Sequence, residues 1–214
     1  MLSFPDRDME PGRVFCIGRN YREHIKELGG DTSEDCIVFM KPGSSLVPPK
    51  VPVRLPRDRG TIHHEVELVV VIGKGGTGIQ RDKAPAHVEG VTLGVDLTLR
   101  DLQNQLKKKG QPWELCKAFE QSAPIGEFIP FDSSLDLGDI QLQCLVNDEL
   151  RQDGNTRDMI SSVSRLIEIL SGYWELGKGD LIFTGTPSGV GPVCPGDILT
   201  VKSPQIGTFT WELV

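Results

Sequence analysis

Residues 62–73 read I-H-H-E-V-E-L-V-V-V-I-G, a run rich in β-branched apolar side chains with Gly73 at its end. This pattern predicts a β-strand. Because side chains alternate between the faces of a strand, Glu65 and Glu67 should point the same way, roughly 6–7 Å apart along the backbone. Two like charges on an apolar strand need water or a cation between them. The pair therefore indicates either a solvated strand end or half of an oxygen-ligand metal site.

Residues 91–99, V-T-L-G-V-D-L-T-L, alternate between large apolar side chains and small or polar ones. This alternation predicts a second strand with one apolar face. Asp96 is the one acid on the other face of that strand. Two acids on one strand and a single acid on another are therefore candidates for a shared cation site.

A helix is predicted at roughly residues 100–109, with Thr98 as its N-cap and Asp101 in the capping-box position. Arg100 and Gln103 are i, i+3 neighbours near its N-terminus and share one face. An anionic ligand beside the acid of the preceding strand would meet both side chains and the helix N-terminus.

The N-terminal part of the chain predicts a short strand at 13–17 and a short helix at 21–28. Asn20 is predicted to cap this helix, with Glu23 in the capping-box position, and Gly29-Gly30 should end it. Paired glycines on one side and a Gly-Arg-Asn turn on the other suggest an element that opens and closes.

His24 and Glu27 on this short helix are i, i+3 neighbours, so their side chains can meet. Two interpretations stay open. The pair is either an incidental contact on an exposed polar helix, or a carboxylate that orients and polarises an imidazole for base catalysis. In the second case the imidazole must be neutral to accept a proton.

Residues 36–40 form another apolar run, and the dense prolines in 48–56 exclude both a helix and a central strand there. An extended edge segment or a loop is expected for the proline-rich part. Gly-Asp turns at 179–180 and 196–197 each lead into a predicted apolar strand.

From about residue 138 the pattern indicates sheet, with turns predicted at 147–148 and 153–155. One amphipathic helix is predicted after Thr156, ending near Gly172. Its apolar positions keep helical spacing, so it should pack on the core without a chemical role.

Two glycine-rich segments each admit a ligand-binding interpretation. Residues 73–78, G-K-G-G-T-G, fit the dinucleotide-binding pattern G-x-G-x-x-G. Two glutamates in the preceding strand and Pro85 in the following segment oppose that interpretation and favour a hairpin loop. Residues 184–192, T-G-T-P-S-G-V-G-P, form either an ordinary tight connection or a turn-rich loop whose N–H groups suit anions.

Composition narrows the function classes. A formal net charge of −7 over 214 residues argues against a nucleic-acid partner, and the basic run at 107–109 is best explained as the polar end of a helix. The chain contains no apolar run long enough to span a membrane, and no secretory signal is visible at the N-terminus. Five scattered cysteines suit reduced thiols, so a cytoplasmic location is predicted.

Several segments in order resemble the fumarylacetoacetate hydrolase superfamily, most of all its short, single-domain acylpyruvase and oxaloacetate decarboxylase branch. They are G-R-N-Y-x-x-H, H-H-E-V-E-L, G-V-D-L-T-L-R-D-L-Q, K-K-K-G-Q-P-W with Lys117 after it, and T-G-T-P-S-G-V-G-P. The resemblance implies a β-rich α+β fold with a mixed sheet in a roll or sandwich and few helices. Residues 1–214 would form one catalytic domain, with a strand and a mobile lid region at about 15–43, and the chain would be a homodimer.

The resemblance also implies roles for particular residues. It implies Mg²⁺ or Mn²⁺ on Glu65, Glu67 and Asp96. A lid dyad of His24 and Glu27 would act with Lys117 in catalysis. Substrate contacts would come from Arg19, Lys41, Arg100, Gln103 and Thr186. Hard carboxylate oxygens without thiolates favour Mg²⁺ or Mn²⁺ over zinc.

The expected activity is a metal-dependent hydrolase or lyase of small 2-oxo acids. It would cleave a C–C bond of acylpyruvates such as fumarylpyruvate or acetylpyruvate, or decarboxylate oxaloacetate, through a metal-stabilised pyruvate enolate. An isomerase, tautomerase or hydratase of 2-oxo or 2-hydroxy-enoic acids shares the metal and the enolate and stays open. A dinucleotide-binding oxidoreductase and a non-catalytic protein that binds oxalate-like anions are the alternatives from other classes.

Overall fold

The computed structural model describes residues 1–29 and 37–214. The predicted helix stop at Gly30 and the first residue of the 36–40 run, Cys36, lie outside the described residues. The strands are β1 (Leu2–Ser3), β2 (Asp8–Met9), β3 (Val14–Gly18), β4 (Ile37–Lys41), β5 (Leu46–Val47), β6 (Ile62–His64), β7 (Val66–Ile72), β8 (Val88–Val95), β9 (Thr98–Leu99), β10 (Ala123–Pro124), β11 (Ile129–Pro130), β12 (Gln141–Val146), β13 (Glu149–Asn155), β14 (Leu181–Phe183), β15 (Gly191–Val193), β16 (Ile198–Ser203) and β17 (Gly207–Glu212). The helices are α1 (Arg22–Glu27), α2 (Arg100–Lys108), α3 (Glu114–Lys117) and α4 (Val163–Tyr173), with 3₁₀ turns at Gly43–Ser45, Ala84–His87 and Thr156–Asp158.

The largest sheet has the order β11-β8-β7-β14-β3-β4, and it is mixed because β14 pairs with β3 in parallel while the other pairs are antiparallel. A four-stranded antiparallel sheet, β13-β12-β16-β17, shares its apolar core with β7, β8 and α4. A second apolar cluster covers the opposite face of the large sheet. The predicted β-rich α+β class is confirmed.

Both faces of β7 are therefore buried. Leu68 and Val70 belong to the main core, while Val69 and Val71 belong to the second cluster. This explains why the run is apolar almost throughout, with only a glutamate at position 67 on the second face.

Each of the two predicted acid-bearing strands is broken in the structure. The 62–73 run divides at Glu65 into β6 and β7, and the 91–99 run divides at 96–97 into β8 and β9. The N-terminal half of the first run and the C-terminal half of the second pair in a separate three-stranded sheet, β15-β6-β9. The breaks lie side by side, since the Asp96 N–H donates to the Glu65 carbonyl at 2.8 Å. Two acids therefore lie where the chain passes from one sheet to another.

The predicted cap of α1 was wrong. Tyr21 occupies the N-cap position, and its side chain makes no capping hydrogen bond. The buried Asn20 amide instead donates to the carbonyls of Ser161 at 2.9 Å and Thr184 at 2.8 Å, and accepts from the Ser161 N–H at 2.7 Å. Tertiary backbone partners satisfy this amide better than the local helix end, and they join the start of α1 to the 184–192 loop.

The predicted cap of α2 was also wrong, although the helix itself is close to its predicted bounds. Leu99 is at the N-cap, and the Thr98 hydroxyl donates to the Asp96 carbonyl at 3.0 Å. The Asp101 carboxylate accepts from the Thr61 N–H at 2.8 Å instead of closing a capping box. The reason is that residue 98 is held in the strand pairing of β6 and β9.

In the C-terminal half, the turn at 147–148 between β12 and β13 is confirmed, and both of its residues have positive φ. The turn at 153–155 was wrong, because these residues pair with β12. The helix begins at Val163, with Ser162 as its N-cap, so it starts later than predicted. A 3₁₀ turn intervenes after Asn155, whose side chain accepts from the N–H of Arg157 at 2.9 Å.

The segment 73–78 lies in the connection between the antiparallel strands β7 and β8. Within this connection the structure has a 3₁₀ turn and no α-helix whose N-terminus a dinucleotide phosphate would need. The hairpin interpretation is confirmed, and the dinucleotide interpretation has no structural support. Among residues 1–29 and 37–214, none of the helices has the length and apolar character needed to cross a membrane.

Candidate active site

The structure brings the three predicted acidic residues together. Glu67 lies on β7, Glu65 lies in the break before it, and Asp96 directly follows β8. All three are buried, and one carboxylate oxygen of each lies within 4.8 Å of those of the other two. The side-by-side breaks of the two strands therefore produce a compact carboxylate cluster.

Lys117, at the end of α3, enters this cluster as a cation. Its Nζ donates to Glu65 Oε2 at 2.8 Å, Asp96 Oδ2 at 2.5 Å and Thr98 Oγ1 at 2.6 Å. Burial alone would lower the pKa of Lys117, but the negative charges of Asp96 and Glu65 outweigh burial and raise it above its ordinary value. Lys117 is therefore a fixed positive charge inside the cluster.

Two further cations support the same acids. The Arg100 guanidinium, at the start of α2, donates to a Glu65 oxygen and to the Gln103 amide oxygen. The Lys41 ammonium lies 2.8 Å from Asp96 Oδ1, and it donates to the Ser122 hydroxyl at 2.9 Å. Buried ions need such partners, because transfer of an unpaired charge out of water is strongly unfavourable.

The two glutamates differ in their electrostatic surroundings. Burial alone would raise the pKa of Glu65, but Lys117 and Arg100 hold it well below its ordinary value. Burial, Asp96 and Glu65 raise the pKa of Glu67 well above its ordinary value. Within the described residues Glu67 has no salt-bridge partner, and its Oε2 accepts from the Gly185 N–H at 2.8 Å. Glu67 is the acid whose ionisation would gain most from an added cation.

These residues fit a divalent cation. Asp96 Oδ1 is buried and accepts no hydrogen bond within the described part of the chain, despite its ion pair with Lys41. Glu67 lacks an ion-pair partner as described above. The donors are hard carboxylate oxygens, which suit Mg²⁺ or Mn²⁺.

His24 and Glu27 form the pair that their spacing predicts. His24 Nδ1 lies 3.1 Å from Glu27 Oε2, and Glu27 Oε1 accepts from the Gly189 N–H at 3.0 Å. The imidazole is buried. Burial lowers the pKa of His24 below 6.5, against the opposing charges of Glu65 and Glu27. The imidazole is therefore neutral at neutral pH and has a carboxylate on one ring nitrogen.

The 184–192 loop does receive anions, but they are carboxylates of this chain. Its Gly185 N–H binds Glu67, and its Gly189 N–H binds Glu27. Thr186 lies between them, and its hydroxyl accepts from the Gln152 amide at 2.8 Å. The loop therefore connects the acid cluster with the His–Glu pair.

A cavity of about 180 Å³ joins these groups. Most of the predicted site residues line it, namely Arg19, His24, Glu65, Glu67, Asp96, Arg100, Gln103, Lys117 and Thr186. Glu27 and Lys41 do not line it, and they act from behind His24 and Asp96. The site predicted from sequence is thus one connected region of the fold.

Three residues of this region were missed by sequence reasoning. Lys107 and Trp113 line the cavity. The first was interpreted as part of the polar end of a helix, and the second was given no role beyond its place in the K-K-K-G-Q-P-W motif. Helical spacing from Arg100 would have identified Lys107 as a neighbour on the same face. Gln152 joins the His64 ring, at 2.9 Å, to the Thr186 hydroxyl, and no local pattern marks it.

Comparison of the whole chain with known proteins identifies a family and several related proteins. Residues 13–214 match the family model described as fumarylacetoacetate (FAA) hydrolase C-terminal. The mitochondrial oxaloacetate decarboxylase of Dictyostelium discoideum is 45% identical over 192 residues, which cover 89% of this chain and 88% of that protein. The oxaloacetate tautomerase YcgM of Escherichia coli is 43% identical over 195 residues, which cover 91% of this chain and 89% of that protein.

A solved structure also matches this chain. The crystal structure of fumarylpyruvate hydrolase from Pseudomonas aeruginosa, in complex with Mn²⁺ and pyruvate, matches with a TM-score of 0.95 and 37% identity. The match covers 100% of this chain and 94% of that one.

The carboxylate cluster predicts that the protein binds one divalent cation and that Asp96→Asn weakens this binding by about 10²-fold or more, beyond what loss of an outer-shell partner costs. The reason is the loss of a charged ligand. Calorimetric titration with Mn²⁺ measures the affinity. Asp82→Asn is the matched control, because it removes an exposed carboxylate elsewhere on the chain.

The direction in which Mn²⁺ affinity changes with pH follows from the raised pKa of Glu67. Because its pKa is raised, a growing fraction of Glu67 is protonated as the pH falls, so Mn²⁺ affinity should weaken and binding should release protons. Titrations in two buffers of different ionisation enthalpy detect that release.

The Asp96→Asn titration has a contrary outcome of its own. Equal Mn²⁺ affinity in wild type and Asp96→Asn would place the cation outside this cluster.

Proposed function

The chain belongs to the fumarylacetoacetate hydrolase family, and we propose that it is a divalent-cation-dependent enzyme that cleaves acylpyruvates or decarboxylates oxaloacetate. The observation that carries this proposal is the buried cluster of Glu65, Glu67 and Asp96 beside Arg100 and its neighbours in one cavity. Such a site, with a divalent cation bound to the three acids, suits a small anionic substrate whose reacting oxygen lies next to that cation.

Glu65, Glu67 and Asp96 would hold Mg²⁺ or Mn²⁺, which when bound would polarise the 2-oxo group of the substrate as a Lewis acid. Arg100 and Gln103 line the cavity beside this cluster, where guanidinium and amide donors can bind the 1-carboxylate.

Lys117 supplies a buried, permanently charged ammonium at the point where negative charge develops on the substrate oxygen. Preorganised charge of this kind stabilises a transition state without solvent reorganisation. Thr186, held by Gln152, lines the same cavity and can position the substrate. Lys41 is a positioning residue, since it contacts Asp96 and does not line the cavity.

In acylpyruvate hydrolysis, His24 would accept a proton from water as the water attacks the distal carbonyl carbon. The C–C bond between that carbon and C3 then breaks, and its electron pair passes to the pyruvate enolate. Protonation at C3 completes pyruvate, and the acyl part leaves as a carboxylic acid. Glu27 would stabilise the imidazolium that forms in this step.

In oxaloacetate decarboxylation, the bond from C3 to the C4 carboxylate breaks and CO₂ leaves, which again places the electron pair in an enolate. No water attack is needed. The His24–Glu27 pair would then matter less than the charges around Glu65 and Asp96.

A tautomerase is the second candidate. It is favoured by the relatives named oxaloacetate tautomerase and by the buried, neutral imidazole of His24, which suits proton transfer without C–C cleavage. In that reaction the same cavity would stabilise the enolate while a proton moves between C3 and the 2-oxygen.

We also propose that residues 1–214 form one catalytic domain in which the region at about 15–43 contains a strand, β3, and a mobile lid that includes α1. His24, Ile25 and Leu28 of this region line the cavity wall, so outward movement of α1 would open it. Closure would exclude water until the substrate is bound. A cytoplasmic location stays a prediction.

The proposal predicts turnover in a substrate panel of oxaloacetate, its enol form, acetylpyruvate and fumarylpyruvate, each with Mg²⁺, with Mn²⁺ and after chelation. Products are followed by NMR. Activity with at least one of these acids, lost on chelation and restored by either cation, is expected. Full turnover by chelated protein on metal-free substrate would end the metal proposal. Keto–enol exchange without pyruvate formation would identify the tautomerase.

The His24–Glu27 pair predicts a particular pH profile. Burial lowers the pKa of His24 overall, while Glu27 opposes this effect and raises it. Loss of the Glu27 charge in Glu27→Gln should therefore lower the pKa of His24 further and move the acid limb of the rate profile to lower pH. The same change should slow acylpyruvate hydrolysis by roughly 10²-fold, the usual size of general-base catalysis. Oxaloacetate decarboxylation should slow less.

Glu23→Gln is the matched control for this test, since Glu23 is an exposed acid on the same helix and pairs with Lys26 at 2.7 Å. His24→Ala completes the series. Acylpyruvate hydrolysis that is unchanged in both His24→Ala and Glu27→Gln would remove the pair from the mechanism.

A homodimer is expected on the family resemblance alone. Light scattering at micromolar concentration should report about twice the chain mass of 23.5 kDa. A species of 23.5 kDa at that concentration would contradict the expectation.

A further inference from the structure

Lys107 is a cation of the cavity wall that has no role in the proposed chemistry. It lies on α2, four residues after Gln103 and seven after Arg100, so these three side chains share one helix face. All three line the cavity. The face therefore carries a guanidinium at the acid cluster, an amide in the middle and an ammonium further along.

The distance along this face is about two helical turns. With a rise of about 1.5 Å per residue, Lys107 is displaced by roughly 10 Å from Arg100 and roughly 6 Å from Gln103 along the helix axis. A ligand whose first carboxylate lies beside Arg100 would thus extend toward Lys107 with its other end.

Lys107 is only partly exposed, and its surroundings do not neutralise it. Its Nζ lies 5.3 Å from the centroid of the Trp113 ring, a cation–π contact that favours this position of the ammonium. Within residues 1–29 and 37–214 no carboxylate lies within salt-bridge distance of it. Burial and the positive charge of Arg100 lower the pKa of Lys107 to about 8. A bound anion would relieve this unfavourable arrangement.

The cavity also continues outward at this point. A second hollow of about 510 Å³ shares Arg19, Lys107 and Trp113 with the first as lining residues. Arg19 is among the charges that lower the pKa of Lys107, so two cations share this end of the cavity. The lining of this outer hollow also includes Glu114, so it carries two cations and one carboxylate, whereas the inner end of the cavity is lined by the acid cluster.

We infer that Lys107 binds the distal carboxylate of a dicarboxylic 2-oxo acid while Arg100 and Gln103 hold the carboxylate next to the oxo group. This inference rests on the proposed function for the placement of the first carboxylate. Lys107 is a specificity-determining residue in this assignment. It selects substrates with a second negative charge over those with an apolar end.

The test is direct binding, which does not depend on turnover. 2-Oxoglutarate and 2-oxopentanoate form a matched pair, since they differ in a terminal carboxylate against a terminal methyl group. Their dissociation constants are measured by calorimetry with the Mg²⁺-loaded protein. Wild type should prefer 2-oxoglutarate, and Lys107→Met should reduce that preference about tenfold, as expected for loss of a partly buried charge-assisted contact.

Three further variants separate charge from packing. Lys107→Gln removes the charge with a shorter polar side chain and should reduce the preference as Lys107→Met does. Lys107→Arg keeps the charge and should retain most of the preference. Lys108→Met removes the neighbouring charge on the exposed face of α2 and should leave the ratio of the two dissociation constants as in wild type.

The inference is overturned if wild type binds neither ligand or binds both equally. It is also overturned if the preference survives in Lys107→Met and Lys107→Gln, or if Lys108→Met reduces it as strongly. Failure of the proposed function is a different result. In that case no 2-oxo acid is turned over in the substrate panel, while the Lys107-dependent preference in binding persists.

Discussion

The pairing of buried carboxylates with buried cations is the interaction on which this structure depends. Three acids lie together in the interior, and Lys117, Arg100 and Lys41 each contact one or two of them. Removal of one partner from such a group leaves an unpaired charge in a medium that solvates it poorly, which commonly costs several kcal/mol. The strand breaks, the start of α2 and the end of α3 are arranged around this requirement. Glu67 is the member without an ion-pair partner in the described part of the chain. One more cation in the cluster would therefore compensate its charge.

The 184–192 loop gives this cluster a connection to the His–Glu pair. Its backbone N–H groups hold Glu67 at one point and Glu27 at another, and Asn20 ties the beginning of α1 to Thr184 in the same loop. Movement of α1 would therefore displace the 184–192 loop, which also holds the Glu67 carboxylate. This arrangement offers a physical link between closure of the cavity and the geometry of the acids.

Much of the fold and the site could be predicted because the relevant information is local. Strand alternation predicted that Glu65 and Glu67 would be neighbours, and helical spacing predicted the contact of His24 with Glu27. The breaks in the two strands were not predictable, because they depend on a second sheet formed by β15, β6 and β9.

Side chains with distant partners escaped prediction for the same reason. Asn20 hydrogen-bonds to Ser161, which is 141 positions away in the sequence, and Gln152 hydrogen-bonds to His64, which is 88 positions away. At Asn20 these distant contacts take the place of the helix cap that the local sequence pattern predicts. The family resemblance supplied Lys41 and Lys117, which no periodicity in the chain identifies.

The central claim is that Glu65, Glu67 and Asp96 together form one divalent-cation site. The most direct measurement is anomalous X-ray diffraction from crystals of the protein grown with Mn²⁺. The account predicts a single strong Mn²⁺ peak at roughly 2.0–2.3 Å from an oxygen of each of the three carboxylates, close to the distances of hard cations and oxygen ligands. An absent peak, or a peak coordinated by other residues while Lys117 still bridges Glu65 and Asp96, would contradict the account.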